Sequence, residues 1–304
     1  MSLSNNTKAY LFAIASVLCW STIASAFNLT LKYVDFANIV LYSSFLATLL
    51  FGFVLLLRKQ KRPAARLPFR AHFQGAVRGF LNPFLYYLVL LKAYSLLKAQ
   101  EAGTLNYIWP VTLVLLSVPL LKQKIGWKNI GAILISFFGL VIISTEGNIA
   151  ELEFSDPFGV LLAAGSSVFW ALFWILNMKD KSDPVEKMFL NFLYGTLFTA
   201  LYLGITGRIT VPDSHGLLGI GYIAVFEMAL TYLLWLRALG HAGTTAQVSN
   251  LIYLSPFISL GIIRWVVGEK ILASTVVGLV FIVGGIVIQQ SLSRRRSRIK
   301  STGD

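Results

Sequence analysis

The stretch QEAGTLNYIWPVTLVLL, residues 100–116, joins two chemistries in one run. Its second half is apolar enough for lipid, while its first half carries Asn106, Tyr107, Trp109 and Pro110. A second stretch, AQVSNLIYLSPFISL (246–260), repeats the pattern with Asn250, Tyr253 and Pro256. A proline inside a membrane helix lacks an amide donor and bends the segment, and the carbonyl it frees one turn earlier needs a partner or a wet cavity. By that rule Pro110 frees the carbonyl of Asn106, and Pro256 that of Ile252. Both stretches are therefore expected to be bent membrane helices with Asn106, Tyr107, Trp109 and Asn250 beside a cavity. The competing expectation is a packing kink whose amides and aromatics are satisfied helix to helix.

The surrounding composition supports the membrane reading. Of 304 residues, 56% are apolar and 13% are charged, about half the charged fraction of a soluble domain. Mean hydropathy is +0.72. Apolar runs long enough for spanning helices fall near 9–31, 36–57, 75–97, 101–121, 128–146, 157–178, 186–206, 216–239, 245–267 and 271–290. The ten-residue alternation of a membrane barrel is missing from the sequence. The expected class is an all-α membrane protein of ten transmembrane helices.

The net charge of +13 would suit nucleic acid, but its distribution reads as a topology signal. Bases crowd alternate loops: Arg58, Lys59, Lys61, Arg62, Arg66 and Arg70 in one, Lys122, Lys124 and Lys128 in another, Lys179, Lys181 and Lys187 in a third. The tail adds Arg294, Arg295, Arg296, Arg298 and Lys300, whereas the segment 147–156 holds Glu151, Glu153 and Asp156 with no base. The positive-inside rule then places both termini in the cytoplasm, as an even number of spans requires, in a bacterial inner membrane. Residues 1–26 have the small-residue end of a signal peptide, but one basic residue, Lys8, is too weak a start for cleavage. The single cysteine, Cys19, excludes an internal disulfide, and the three histidines lack metal-ligand spacing. No metal and no cofactor is expected.

The chain also resembles itself. SVLCWS (16–21) has a counterpart in SSVFWA (166–171), displaced by 150 positions. YLVLLKA (87–93) matches YLLWLRA (232–238) at 145, and Tyr107-Ile-Trp-Pro110 matches Tyr253-Leu-Ser-Pro256 at 146. Three matches in one order divide the chain into 1–146, 147–291 and a basic tail, 292–304. Five spans per half make the second half inserted upside down, an architecture of secondary transporters with a midplane site between the repeats.

WST at 20–22, the proline-bearing fourth and ninth spans, GEKI at 268–271 and the glycine-rich last spans resemble the EamA branch of the drug/metabolite transporter superfamily. Glu101, Gly103, Asn106, Tyr107, Trp109 and Pro110 further resemble a motif of YddG-type aromatic amino acid exporters. The first half departs from the pattern with KQKI (122–125), where Gln123 replaces the commoner acid. The resemblance implies two inverted five-helix repeats around a central cavity, and export of small metabolites by alternating access. It also implies that the fifth and tenth spans are scaffold; Gly131, Gly139, Gly278, Gly284 and Gly285 would let them approach closely.

Glu227 is the one acid well inside a predicted span. A carboxylate at that depth costs several kcal/mol unless paired, hydrated or protonated. It is expected to bind a substrate amine or to take a proton in exchange; the alternative is a neutral glutamic acid bonded to an asparagine or tyrosine. Its counterpart at the 145 offset is Asn82, beside Pro83, and Thr231 and Tyr86 lie one turn beyond each. Trp20 and Trp170, central rather than interfacial, are candidates for aromatic walls. Lys92, Arg264 and Arg78 lie near span ends and are expected to snorkel, and His72 to be solvated. The partners implied are a small-molecule substrate, the bilayer and protons. The sequence holds no Walker motif and no paired carboxylates, metal cluster or activated serine for an integral-membrane enzyme, and a receptor or scaffold would bind without flux. Drug or cation efflux and sugar-nucleotide carriage are the other transport readings.

Overall fold

The computed structural model describes residues 4–58, 68–121, 127–149, 156–180, 182–241 and 250–301. The bases at 59–67, Gln123 and Lys124, Glu151, Glu153 and Gln247 lie outside them.

All regular structure among the described residues is helical. Six helices there are long and apolar enough to cross a membrane: Asn5–Thr30, Phe36–Leu57, Ala99–Leu120, Pro157–Asn177, Pro184–Thr206 and Ser214–Trp235. Shorter apolar helices cover Ile130–Ile143, Ser255–Val267 and Ala273–Ile288. In chain order the α-helical pieces are α1 (Asn5–Thr30), α2 (Phe36–Leu57), α3 (Phe69–Gly79), α4 (Tyr86–Tyr94), α5 (Ala99–Asn106), α6 (Trp109–Leu121) and α7 (Trp127–Ser144). Then follow α8 (Pro157–Lys179), α9 (Pro184–Thr206), α10 (Ser214–Ile223), α11 (Leu230–His241), α12 (Ser255–Ile262) and α13 (Ala273–Ser301).

The long helices begin where the sequence supplies an acceptor for their free amides. Asp35 caps α2 through the Ala37 amide at 3.0 Å, and Asp213 caps α10 through Gly216 at 2.7 Å. Asp156-Pro157 and Asp183-Pro184 start α8 and α9, with proline in the first turn where its missing donor costs nothing. Gly207, at φ 63°, ends α9 in the left-handed region.

Four predicted spans are not uniform helices. The third is divided into α3, a π-helical segment Phe80–Leu85 and α4, with Asn82 at non-helical φ −154° and ψ 119° next to Pro83. The fourth stops at Asn106 and restarts at Trp109, with Pro110 in the first turn of the new helix. The ninth runs as a 3-10 segment Asn250–Leu254, then α12 with Pro256 in its first turn, then a π-helical segment Ile263–Val267. The eighth contains no proline, yet α10 passes through a π-helical segment Ala224–Ala229 around Glu227 before α11. In the fourth run the helix thus restarts at Trp109-Pro110, a larger break than a bend; in the ninth, the 3-10 segment passes directly into α12 at Pro256. A proline is tolerated best at a helix start, which makes the restart the cheaper solution.

Helix pairing follows small residues. α7 packs most extensively on α13, where a Cβ on Gly139 would collide with the Gly278 carbonyl, and one on Gly285 with Ser136 and Ala132. Ser136 adds a bond from its hydroxyl to the Ile282 carbonyl at 3.1 Å. Gly131 and Gly284, expected to serve the same contact, face open space. α2 packs on α9 through Ser44, Thr48 and Thr196, with Thr196 Oγ1 donating to Ser44 Oγ at 3.1 Å. α1 packs on α11 and α12, and α8 on α4 and α6. The main apolar core lies where α1, α2, α4, α8 and α9 meet, around Phe27, Phe51, Tyr87, Phe173 and Phe192.

Candidate substrate cavity

A cavity of about 80 Å³ lies at the centre of this packing. α1 gives it Trp20, Ile23, Ala24 and Phe27, and α4 gives it Tyr86, Leu90 and Tyr94. The broken fourth run contributes Gly103, Asn106, Tyr107 and Trp109, the restart bringing the last two to the wall. Trp170 of α8, Glu227 of the π-helical segment, Ile252 of the 3-10 segment and Ser259 of α12 complete it. Neither α7 nor α13 places a described residue there.

The wall is aromatic on one side and hydrogen-bonded on the other. Tyr86 and Trp170 have ring centres 4.7 Å apart, and Trp20 meets Trp235 at 5.4 Å. Asn106 Nδ2 donates to the Tyr86 hydroxyl at 3.1 Å, and Ser166 donates to Asn106 Oδ1 at 3.2 Å. The amide is thereby fixed with its donor toward tyrosine and its oxygen toward serine.

Glu227 is 6% exposed. Its Oε1 accepts the Tyr87 hydroxyl at 2.8 Å, whereas Oε2 is buried with no partner among the described residues. A buried, half-satisfied carboxyl on a cavity wall is poised to take up one more donor: a proton, or a cationic N–H of a bound molecule. No cluster of metal-ligating side chains occurs among the described residues.

Seven of the expected contact residues thus meet at one cavity: Trp20, Tyr86, Asn106, Tyr107, Trp109, Trp170 and Glu227. Asn82 and Thr231 do not reach it. Asn82 is buried with Nδ2 donating to the Tyr232 hydroxyl at 3.2 Å, and the Thr231 hydroxyl turns back to the Phe226 carbonyl. Asn250 and Tyr253 lie in the 3-10 segment that leads to Pro256. Pro83, in the first π-helical segment, and Pro256 are both buried.

Sequence reasoning missed Tyr87, the partner of Glu227. The signal was present: Tyr87 stands five positions beyond Asn82 as Tyr232 stands five beyond Glu227. Arg78 is a correction. Instead of snorkelling it is 3% exposed, donating to Asp180 Oδ2 at 2.5 Å and from Nε to Asn191 Oδ1 at 3.0 Å. The neighbouring loop supplies a buried acid, so the guanidinium is stabilised where it stands. His72 likewise contacts the Tyr194 hydroxyl at 2.9 Å rather than only water.

Comparison with known proteins follows the same lines. Protein PecM of Dickeya dadantii is 25% identical over 95% of each chain. An uncharacterized inner membrane transporter of Escherichia coli, YhbE, is 24% identical over 82% of this chain and 78% of its own. A solved crystal structure of 20% identity covers 95% of this chain and 98% of its own with a TM-score of 0.67, and so shares the fold. The EamA-like transporter family matches twice, over residues 7–145 and 157–289, and the chain belongs to that family of multi-pass membrane transporters.

Proposed function

We propose that the chain exports amino acids or similarly small amine-bearing metabolites, by alternating access of two inverted five-helix halves, 1–146 and 147–291. The observation that carries this reading is Glu227: a buried carboxyl with one open oxygen, set in an aromatic wall beside oriented amide and hydroxyl groups. An ammonium group satisfies the open oxygen, the aromatic faces favour the same cation, and Asn106 suits a carboxylate or carbonyl. Glu227 either holds the substrate amine or exchanges a proton for it. Asn250 and Tyr253 would join the wall from the opposite broken helix.

Helix packing supports the two-halved design. Exchange of the halves carries α1 on α11 into α8 on α4, and α12 on α1 into α6 on α8. The pairs α2 with α9 and α7 with α13 map onto themselves. Such a pattern follows if one pseudo-twofold axis relates the halves. With five spans in each, both termini would lie in the cytoplasm of an inner-membrane protein.

The cavity is small beside the roughly 300–1,000 Å³ of drug-sized pockets, so compact metabolites fit this reading better than dyes. A cation effluxer is the second reading, favoured by the same carboxylate in its aromatic cage. Protein reconstituted in liposomes and offered labelled amino acids beside cationic dyes separates them. Counterflow of an amino acid supports the first reading. Dye flux alone supports the second, and binding without flux of either class removes both.

A further inference from the structure

A second cleft, of about 350 Å³ and sharing no lining residue with the central cavity, opens between α3 and the end of α8. Arg70 and Lys179 stand on its rim, and Phe73, Val77 and Leu176 line its apolar side. The Arg78–Asp180 pair closes its floor. Lys187 Nζ donates to the Asp180 backbone carbonyl at 2.7 Å, and the Asp180 carboxylate is paired with Arg78. Among the described residues neither Arg70 nor Lys179 is in an ion pair. Lys179 Nζ reaches the Leu120 backbone carbonyl at 3.5 Å. Two cations therefore stand at the cleft with no ion-pair partner among the described residues.

α3 has the composition of a helix at the membrane surface. Phe69, Phe73, Val77 and Phe80 follow at spacings of four, four and three, all exposed, with Phe69 and Phe73 stacked at 6.5 Å. Arg70, His72 and Gln74 occupy the rest of the same turns. Exposed phenylalanines are unfavourable in water, and free cations are unfavourable in hydrocarbon; the boundary between headgroups and acyl chains satisfies both. Basic pockets between helices at that depth recognise acidic headgroups.

We propose that this cleft binds an anionic phospholipid, its phosphodiester held by Arg70 and Lys179 and one acyl chain lying along Phe73, Val77 and Leu176. The lipid bridges α3 and α8, which lie on either side of the predicted boundary between the halves. It does not depend on what the central cavity carries.

The test uses full-length protein in detergent. Phosphatidylglycerol or phosphatidylcholine is titrated in, and bound lipid is counted by native mass spectrometry. Each cation near an anionic surface contributes about 1 kcal/mol, so two give a preference for phosphatidylglycerol of about tenfold or more. The double variant Arg70→Gln, Lys179→Gln, altered only at exposed positions, is expected to lose that preference. Arg237→Gln, an exposed base elsewhere that lies over Phe12, is expected to keep it. An unchanged preference in the double variant overturns the proposal, as does an equal loss in Arg237→Gln. Displacement of the lipid by inorganic phosphate at millimolar concentration also overturns it, because the cleft would then be a soluble-anion site.

Discussion

The Tyr87 hydroxyl donates to Glu227 Oε1 at 2.8 Å, and the counterpart residues are joined by a bond of opposite direction. Tyr232, 145 positions after Tyr87, receives Asn82 Nδ2 at 3.2 Å, and Asn82 stands 145 positions before Glu227. Each of the two family-matched segments, 7–145 and 157–289, thus sets a tyrosine against a polar residue in the helix break of the other. Glu227 Oε2 and Asn82 Oδ1 are the buried oxygens left over in the two pairs.

Glu227→Gln keeps the shape and still accepts from Tyr87, so the fold is expected to survive. It removes the charge, and a hydrogen bond to a charged group is worth about 1.5–3 kcal/mol. Transport of an amine-bearing substrate is therefore expected to fall about 100-fold, with an unchanged thermal midpoint. Tyr87→Phe keeps the ring that meets Phe27 edge-on at 6.3 Å and is expected to cost about tenfold. Liposome uptake of labelled substrate checks both; full transport by Glu227→Gln removes the carboxylate from the mechanism.

The reciprocity permits a stricter trial. Glu227 lines the cavity and Asn82 does not, so a carboxylate at 82 is not expected to stand in for the one at 227. The double variant Asn82→Asp, Glu227→Gln is expected to transport as slowly as Glu227→Gln alone. A double variant on the order of tenfold faster than the single one would show that position 82 reaches the substrate.

Membrane class was legible because spanning hydrocarbon demands long apolar runs, which composition records directly. The broken helices were half legible. Pro110 and Pro256 marked where the fourth and ninth runs depart from a uniform helix, though the sequence predicts a bend at each, and the π-helical segment around Glu227 has no proline to announce it. Most of the seven cavity residues were readable because an amide, a carboxyl or a central tryptophan in lipid is out of place by itself, and Tyr86 and Tyr107 by their place beside such residues. The roles of Tyr87 and Arg78 were not, since only tertiary packing brings Glu227 and Asp180 to them. The glycines show the same limit: Gly139 and Gly131 look alike in sequence, but one touches a neighbouring backbone and the other touches nothing.

The Arg78–Asp180 pair makes a prediction about acid. Burial opposes ionisation of Asp180, but the Ser182 hydroxyl and amide and the Arg78 guanidinium outweigh it and hold its carboxyl below the usual carboxylate range. A group with a depressed folded-state value contributes stability above its unfolded value, about pH 3.9, and loses it as pH falls through the folded one. Asp180→Asn leaves Arg78 buried without its anion, at a cost of about 3 kcal/mol at pH 7. The gap in thermal stability between wild type and variant is expected to be constant from pH 7 to about pH 5 and to narrow in stronger acid. A gap that widens on acidification contradicts this account of the pair.

The α7–α13 seam separates a packing role for glycine from mere tolerance of it. A leucine at 139 must push against the Gly278 carbonyl and the Cβ of Phe281 at 2.9 Å, both on a helix that cannot yield without moving α13. Overpacking of this kind costs about 1–3 kcal/mol. A Cβ at 131 meets no atom within 4 Å and the position is exposed, so Gly131→Leu is expected to change stability by no more than about 0.5 kcal/mol. Neither helix puts a described residue on the cavity wall, so Gly131→Leu should also transport at the wild-type rate. Thermal midpoints in detergent, read beside liposome uptake, check the contrast. Equal destabilisation by the two leucines would mean that the seam tolerates no bulk anywhere, and that the contact of Gly139 with Gly278 is not what holds the two helices together.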